Sequence, residues 1–299
     1  MNTVKNTFSI KDLENLTGIK AHTIRIWEKR YNLLQPERTD TNIRYYDLES
    51  LQMLLNVSYL NENGYKISKI AALPKGKTSQ LVKKIATDSV SHIHVMNLFK
   101  LAMINFDQQL FQTAYKNVSK GKSFRELFYE VFVPLLTEIG VLWQTDTITP
   151  AHEHFVSNLI RQKIILNTEK FQQKKQTTSD STFVLFLPDN EIHELGLLYL
   201  NLEIISRGHH SILLGPSVPI SSLVDILDYY DDITFISYFT IKPEKKDVKN
   251  YLNEFKETIL KKKTTKFWML GKMTQHINTE KLPNQMKVFY SIENLVEEL

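Results

Sequence analysis

Within the 299 residues, Glu191-Ile192-His193-Glu194-Leu195-Gly196 gathers an acid, an imidazole and a glycine just beyond the apolar run Phe183-Val184-Leu185-Phe186-Leu187-Pro188. An imidazole is a competent transition-metal ligand, and a carboxylate on its other nitrogen fixes the tautomer and raises its basicity. The blander chemistry for the same residues is a helix cap. The chain has no cysteine. That excludes disulfides, thiolate zinc sites and cysteine nucleophiles, so a bound metal is held by His or carboxylates or arrives inside a cofactor.

A second cluster lies near the start. Between Lys20 and Arg44 stand Lys20, Arg25, Lys29, Arg30, Arg38 and Arg44 against Glu28, Glu37 and Asp40. A local excess of positive charge attracts phosphates, and Arg and Tyr side chains such as Tyr31 and Tyr45 donate to phosphate oxygens and fix register. Base reading falls to exposed positions near a helix start: Lys20, His22, Thr23 and Ile26. Glu28 and Lys29 read as a solvated face, and Trp27 as core. The net charge of +4 is compatible with nucleic-acid binding but is too small to establish it.

The elements that position these residues fall into three segments. Residues 8–72 carry short helical patterns broken by Gly18, the turn at 32–36 and the polar stretch 38–44, with Ile10, Leu13, Leu16, Ile19, Ile24 and Trp27 inward. From 78 to 173, apolar residues at helical spacing predict a bundle of four or five helices, punctuated by Gly121 and Thr149-Pro150. A polar linker, Lys174-Lys175-Gln176-Thr177-Thr178-Ser179-Asp180-Ser181-Thr182, precedes alternating strands and helices. Strands are expected at 183–187, 210–214, 233–239, 266–270 and 286–290, with helices at 195–206, 221–229, 245–260, 278–282 and 292–299. This pattern predicts a doubly wound, Rossmann-like or flavodoxin-like parallel five-stranded sheet, whose ligands bind beyond the carboxyl ends of the strands. The expected domains are 1–75, 78–175 and 181–299. Nothing approaches the roughly 18 uninterrupted apolar residues of a membrane span, and the first residues lack a signal-peptide core, so a cytoplasmic, nucleoid-associated protein is expected.

The string from Thr23 to Asp47 resembles the recognition helix and wing of MerR-family regulators, in the arginines Arg25 and Arg30, the Pro36-Glu37-Arg38 step and Arg44-Tyr45-Tyr46. Asn32 stands where relatives usually have Gly, and Asn42 occupies the wing turn in the same way; Asn tolerates the left-handed conformation both places require. The resemblance implies a winged helix-turn-helix that binds an inverted-repeat operator in double-stranded DNA as a dimer. The long dimerisation helix usual in that family is interrupted by Leu73-Pro74-Lys75-Gly76, so assembly into a dimer or tetramer falls to the remaining domains.

The Glu191-x-His193-x-x-Gly196 spacing resembles the motif of cobalamin-binding proteins. Leu214-Gly215-Pro216-Ser217-Val218-Pro219 matches the turn that follows their second strand, and Trp143, followed after nine residues by Glu153-His154, matches the bundle of cobalamin-binding MerR regulators related to light sensors. The resemblance implies that His193 is the lower axial ligand to cobalt, Glu191 its partner, and Gly196 a site of close backbone approach. It implies also that Trp143, Glu153 and His154 cap the upper face of a cobalamin, adenosylcobalamin first, lying between bundle and sheet domain. Ser237 and Gly271 belong to the strand ends that make room for the nucleotide tail. Three departures stand out: Tyr238-Phe239 follow Ser237, Lys272 follows Gly271, and Gln144 follows Trp143 where photosensory relatives have a histidine that ligates cobalt after illumination.

The expectation is a non-enzymatic transcriptional regulator, a repressor, whose oligomerisation and operator affinity are set by cobalamin, with light sensing as the sharper form. Two rivals stay open. One is a cobalamin-independent MerR-type regulator answering to a protein partner, motivated by Tyr238, Phe239 and Lys272. The other is a corrinoid protein or methyltransferase subunit, which the N-terminal wing opposes.

Overall fold

The computed structural model describes residues 7–74, 76–86, 92–172, 181–261 and 264–299. The chain divides into two compact units, Met1–Leu159 and Ile160–Leu299, with the boundary inside its longest helix. The first unit therefore takes in the first sequence segment and most of the second, and the rest of that helix falls in the other unit.

In the first unit, β1 (Thr7–Ser9) leads into α1 (Ile10–Thr17), whose start is a reciprocal capping box between Ser9 and Asp12 and whose end is Gly18 at φ 72°. Helix α2 (Ala21–Tyr31) stops at Asn32, φ 50°. The wing is β2 (Glu37–Arg38) and β3 (Arg44–Asp47), turned by Asn42 at φ 65°. Both asparagines thus adopt the left-handed backbone expected of them. Phe8 and Ser9, expected at the start of a helix, extend instead as an edge of this sheet, with Phe8 opposite Tyr46 in the order β1-β3-β2. Phe8, Leu13, Leu16, Ile24 and Tyr46 form the core, closed by α3 (Leu48–Glu62) and followed by α4 (Ile67–Ala71).

The bundle consists of α5 (Lys77–Ala86), α6 (His92–Ile104), α7 (Gln108–Val118), α8 (Phe124–Leu127), α9 (Val133–Gln144) and α10 (Pro150–Gln172). Between α8 and α9, Phe128–Phe132 forms a π turn in which the Val133 amide reaches back to the Phe128 carbonyl. Pro134, in the first turn of α9, has no amide hydrogen to give to the ladder, which is where such bulges form. The helix-turn-helix is docked on this bundle. Helix α3 packs against α6, the Asn97 side chain donates to Glu62 at 2.6 Å, and Thr147, in the α9–α10 turn, donates to the buried Asp12 carboxylate at 3.3 Å.

The second unit is a five-stranded parallel sheet: β4 (Thr182–Phe186), β5 (His210–Gly215), β6 (Ile233–Tyr238), β7 (Lys266–Leu270) and β8 (Met286–Val288). Its order is β5-β4-β6-β7-β8, with Thr182 opposite both His210 and Ile233. This is the flavodoxin-like order, so the chain reverses direction across the sheet between β4 and β6, and a crevice opens there at the carboxyl ends. Every residue of β4 is buried, as the central position of an all-parallel sheet requires. Helices α11 (Leu195–Ser206), α12 (Val248–Thr258) and α13 (Ile292–Val296) accompany it. The segment expected as a helix at 221–229 is instead 3-10 turns over Ile220–Asp228. Ser221, Ser222, Asp225 and Asp228 are residues whose side chains compete with helical backbone bonds. One face of the sheet is filled by aromatic rings, Phe255 lying 3.7 Å from Phe267 and 6.1 Å from Phe186. Among the described residues, no helix is long and apolar enough to cross a membrane.

Candidate functional site

Helix α2 buries Ile24 and turns outward His22, Arg25, Ile26, Lys29 and Arg30, with Lys20 at its cap also exposed. Thr23, Tyr31 and Trp27 are half-buried, so Trp27 belongs to the packed side. Lys20 meets Glu14 at 3.1 Å, an exposed pair of little energetic weight that leaves the ammonium available to a phosphate. Arg30 lies over the Tyr31 ring at 5.3 Å. In the wing, Arg38 is exposed and held to Asn42, and Tyr45 donates to Glu37 at 2.5 Å. The residues expected to read DNA thus lie on the outward side of α2 and on the wing.

Glu28 corrects the sequence reading. It is no solvated face: its side chain is 8% exposed, accepts a hydrogen bond from the Tyr46 hydroxyl and lies 3.3 Å from Arg44 Nε. Burial, and then the Glu28 carboxylate, push the Tyr46 phenol well above its ordinary range. Arg44, expected to face phosphate, is therefore partly engaged in joining β3 to α2. The three residues fix the wing against the recognition helix.

In the second unit, the loop after β4 is built around Glu191, which is 1% exposed. One carboxylate oxygen accepts from the amides of Ile192 and His193, at 2.9 and 3.0 Å, and meets His193 Nδ1 at 2.5 Å. The other accepts from the amides of Ile241 and Lys242, beyond β6, at 2.6 and 2.8 Å. Its main-chain carbonyl accepts from Ser217 of the loop after β5, 3.1 Å away. One acid therefore ties together three strand ends, two of which no sequence spacing reveals. The His193 side chain is 47% exposed, and a proton on Nδ1 directed at Glu191 leaves the lone pair on Nε2. This is the arrangement of a histidine ligand with a carboxylate partner.

Burial alone would raise the Glu191 pKa, but the His193 ring and the amides of Lys242, Ile241 and His193 outweigh it and hold the value at about 2, against an ordinary 4.5. A carboxylate depressed on folding stabilises the fold above its unfolded pKa and loses that contribution as pH falls through the folded value. The second unit is therefore expected to lose on the order of 3 kcal/mol from this group as pH drops from about 4.5 towards 2. Thermal unfolding across that range checks it, and the Glu191→Gln protein should lack this part of the slope.

The remaining expected residues are placed unequally. Gly215 is buried at φ 87°, and Gly271 ends β7 at φ 107°. Ser237 is fully buried, and among the described residues its hydroxyl has no hydrogen-bond partner, so it offers a polar contact to a bound group. Gly196 opens onto the ring of Tyr238. In the first unit, Trp143, next to the last residue of α9, has 51% of its surface exposed, and His154, one turn into α10, is also exposed and paired with Glu153 at 2.9 Å. An indole left uncovered by its own bundle is unusual and suits a face that something else covers. Among the described side chains of the bundle, His152 is a buried histidine, stacked on Phe106 at 4.7 Å with Nδ1 2.8 Å from Thr149 Oγ1; burial lowers its pKa. Sequence reading missed it, and the alternation of His152 and His154 on one helical turn was the available signal.

Comparison with known proteins bears on both sites. Residues 8–77 match the family described as MerR HTH family regulatory protein, and residues 95–166 match the B12 binding domain. The HTH-type transcriptional repressor CarH of Myxococcus xanthus is 29% identical over 73% of this chain and 74% of its own length. The HTH-type transcriptional repressor CarA of the same organism is 25% identical over 73% and 71%. The monomethylamine corrinoid protein of Methanosarcina barkeri superposes with a TM-score of 0.56 over 70% of this chain and all of its own, at 10% identity, a likeness of fold. The chain thus carries a MerR HTH domain and a B12 binding domain and is homologous to CarH and CarA.

Proposed function

We propose that this protein is a DNA-binding transcriptional repressor whose operator affinity is controlled by a bound cobalamin. The observation that carries the reading is the pairing in one chain of an outward basic helix and wing, within the MerR match, with a half-exposed histidine fixed by a buried carboxylate at strand ends. His193 would hold cobalt through Nε2, oriented by Glu191, and the buried Ser237 hydroxyl would meet a polar part of the cofactor. When bound, cobalamin supplies a cobalt centre with exchangeable axial ligands. Adenosylcobalamin is the form proposed for the test.

Control then operates through assembly. Each chain carries one reading head, so joining two on an inverted repeat multiplies affinity without any new base contact. The test selects duplexes from a random pool with the purified protein, then measures binding and oligomer size with and without adenosylcobalamin, in the dark and under green light. A cofactor-dependent change in both supports the reading, and a further change on illumination extends it to a light sensor. Binding and size indifferent to the cofactor would sink it.

The DNA-facing residues separate by kind. Arg30→Ala and Arg38→Ala should weaken all duplexes alike and lower the slope of log affinity against log salt by about 1 each. His22→Ala and Thr23→Ala should change which duplexes are selected. Anisotropy titrations at several salt concentrations distinguish the two. A cofactor-free regulator is the second reading, favoured by Tyr238 and Phe239. Its mark would be DNA binding wholly unaffected by His193→Ala.

A further inference from the structure

The crevice where the sheet reverses, between the ends of β4 and β6, is the place such folds bind ligands, and here a side chain stands in it. A carbon built on Gly196 would lie 2.7 Å from Cε2 and 3.0 Å from Cζ of Tyr238. On the opposite flank of β6, a carbon built on Gly271 would lie 2.6 Å from the Phe239 carbonyl oxygen, which also accepts from the Met273 amide at 2.9 Å. Both glycines beside the end of β6 are thus used by Tyr238 and Phe239 themselves. The buried, unpartnered hydroxyl of Ser237 comes just before them, and His193 stands three residues before Gly196.

Cobalamin brings its own lower base, a benzimidazole on a nucleotide tail. A protein imidazole that takes the lower face displaces this base, and the tail then has to be housed. The room beside Gly196, between α11 and the end of β6, is taken by the Tyr238 ring, and Gly271 lies against the Phe239 main chain. We propose, building on the cobalamin reading above, that Tyr238 is a specificity-determining residue that selects against the nucleotide tail, so that the site at His193 prefers corrinoids without it. The ring acts by exclusion rather than by a contact of its own, which is how a pocket rejects a larger homologue.

The experiment titrates the full-length protein with aquacobinamide, which has no tail, and with aquacobalamin, following the absorption change of imidazole ligation and retention through gel filtration. The wild type should bind cobinamide about tenfold or more tightly than cobalamin. Tyr238→Ala should remove most of that preference by admitting cobalamin, and Tyr238→Phe, which keeps the ring, should preserve it. Because displacing the cobalamin base by itself favours cobinamide, the deciding quantity is the change in ratio between the wild type and Tyr238→Ala, with Tyr238→Leu as the milder change should Ala fail to fold. Equal affinities in the wild type, or a preference unchanged in a folded Tyr238→Ala protein, would overturn the selectivity while leaving corrinoid binding in place. Failure of both corrinoids to bind either protein would overturn the cobalamin reading and this inference with it.

Discussion

His193→Ala should release the corrinoid, weakening its retention by roughly a hundredfold or more, because no other side chain supplies the lower nitrogen in this reading. Glu191→Gln should be nearly as damaging for a different reason. The two carboxylate oxygens serve separate sets of donors, the His193 ring and loop amides on one and the Ile241 and Lys242 amides on the other. A glutamine presents one oxygen and one NH2, so whichever way it turns, one set faces another donor. The buried mismatch should cost about 1 to 3 kcal/mol and weaken cofactor binding by about 10- to 100-fold. Absorption spectra of the gel-filtered proteins, beside their thermal unfolding, measure both. His193→Ala retaining the cofactor with an unchanged spectrum would remove the histidine from its proposed role.

The second large effect is expected at Glu28→Ala. The substitution leaves Arg44 without its carboxylate and the Tyr46 hydroxyl buried without its acceptor. Breaking a buried charged pair by removing one partner costs about 3 to 5 kcal/mol, and the partial exposure of Arg44 argues for the lower end. DNA affinity should fall further than stability predicts, because wing and recognition helix must hold one relative position to touch phosphates and bases together. Tyr46→Phe removes only the hydroxyl and should cost about 1 kcal/mol. Denaturant unfolding and titration with the selected duplex would show it; an unchanged wing in Glu28→Ala, with full affinity, would contradict the network.

These two residues also mark where sequence reading succeeds and where it stops. His193 was legible because strand, acid and imidazole are consecutive, and local spacing carries the chemistry. The partners of Glu28 lie 16 and 18 positions away, across a turn and a wing, and its own helix gives it the pattern of a surface residue. Strand positions came through well, β7 at both of its ends and α11 likewise, because apolar runs bounded by turns are local signals. Tyr238 was legible as an anomaly but not as an obstruction. Only the fold brings its ring against Gly196, 42 positions earlier in the chain.

The docking of the helix-turn-helix on its bundle has a consequence for modularity. Asp12 performs two tasks, capping α1 with one oxygen and receiving Thr147 with the other, while α3 is covered by α6. A chimera cut in the apparent linker near residue 74 would strip α3 of that cover and take the Thr147 hydroxyl from Asp12, so the reading head is not a part that can be transplanted alone. The natural unit of exchange ends much later, after the first turns of α10. Grafting this head onto another sensor means moving the bundle with it.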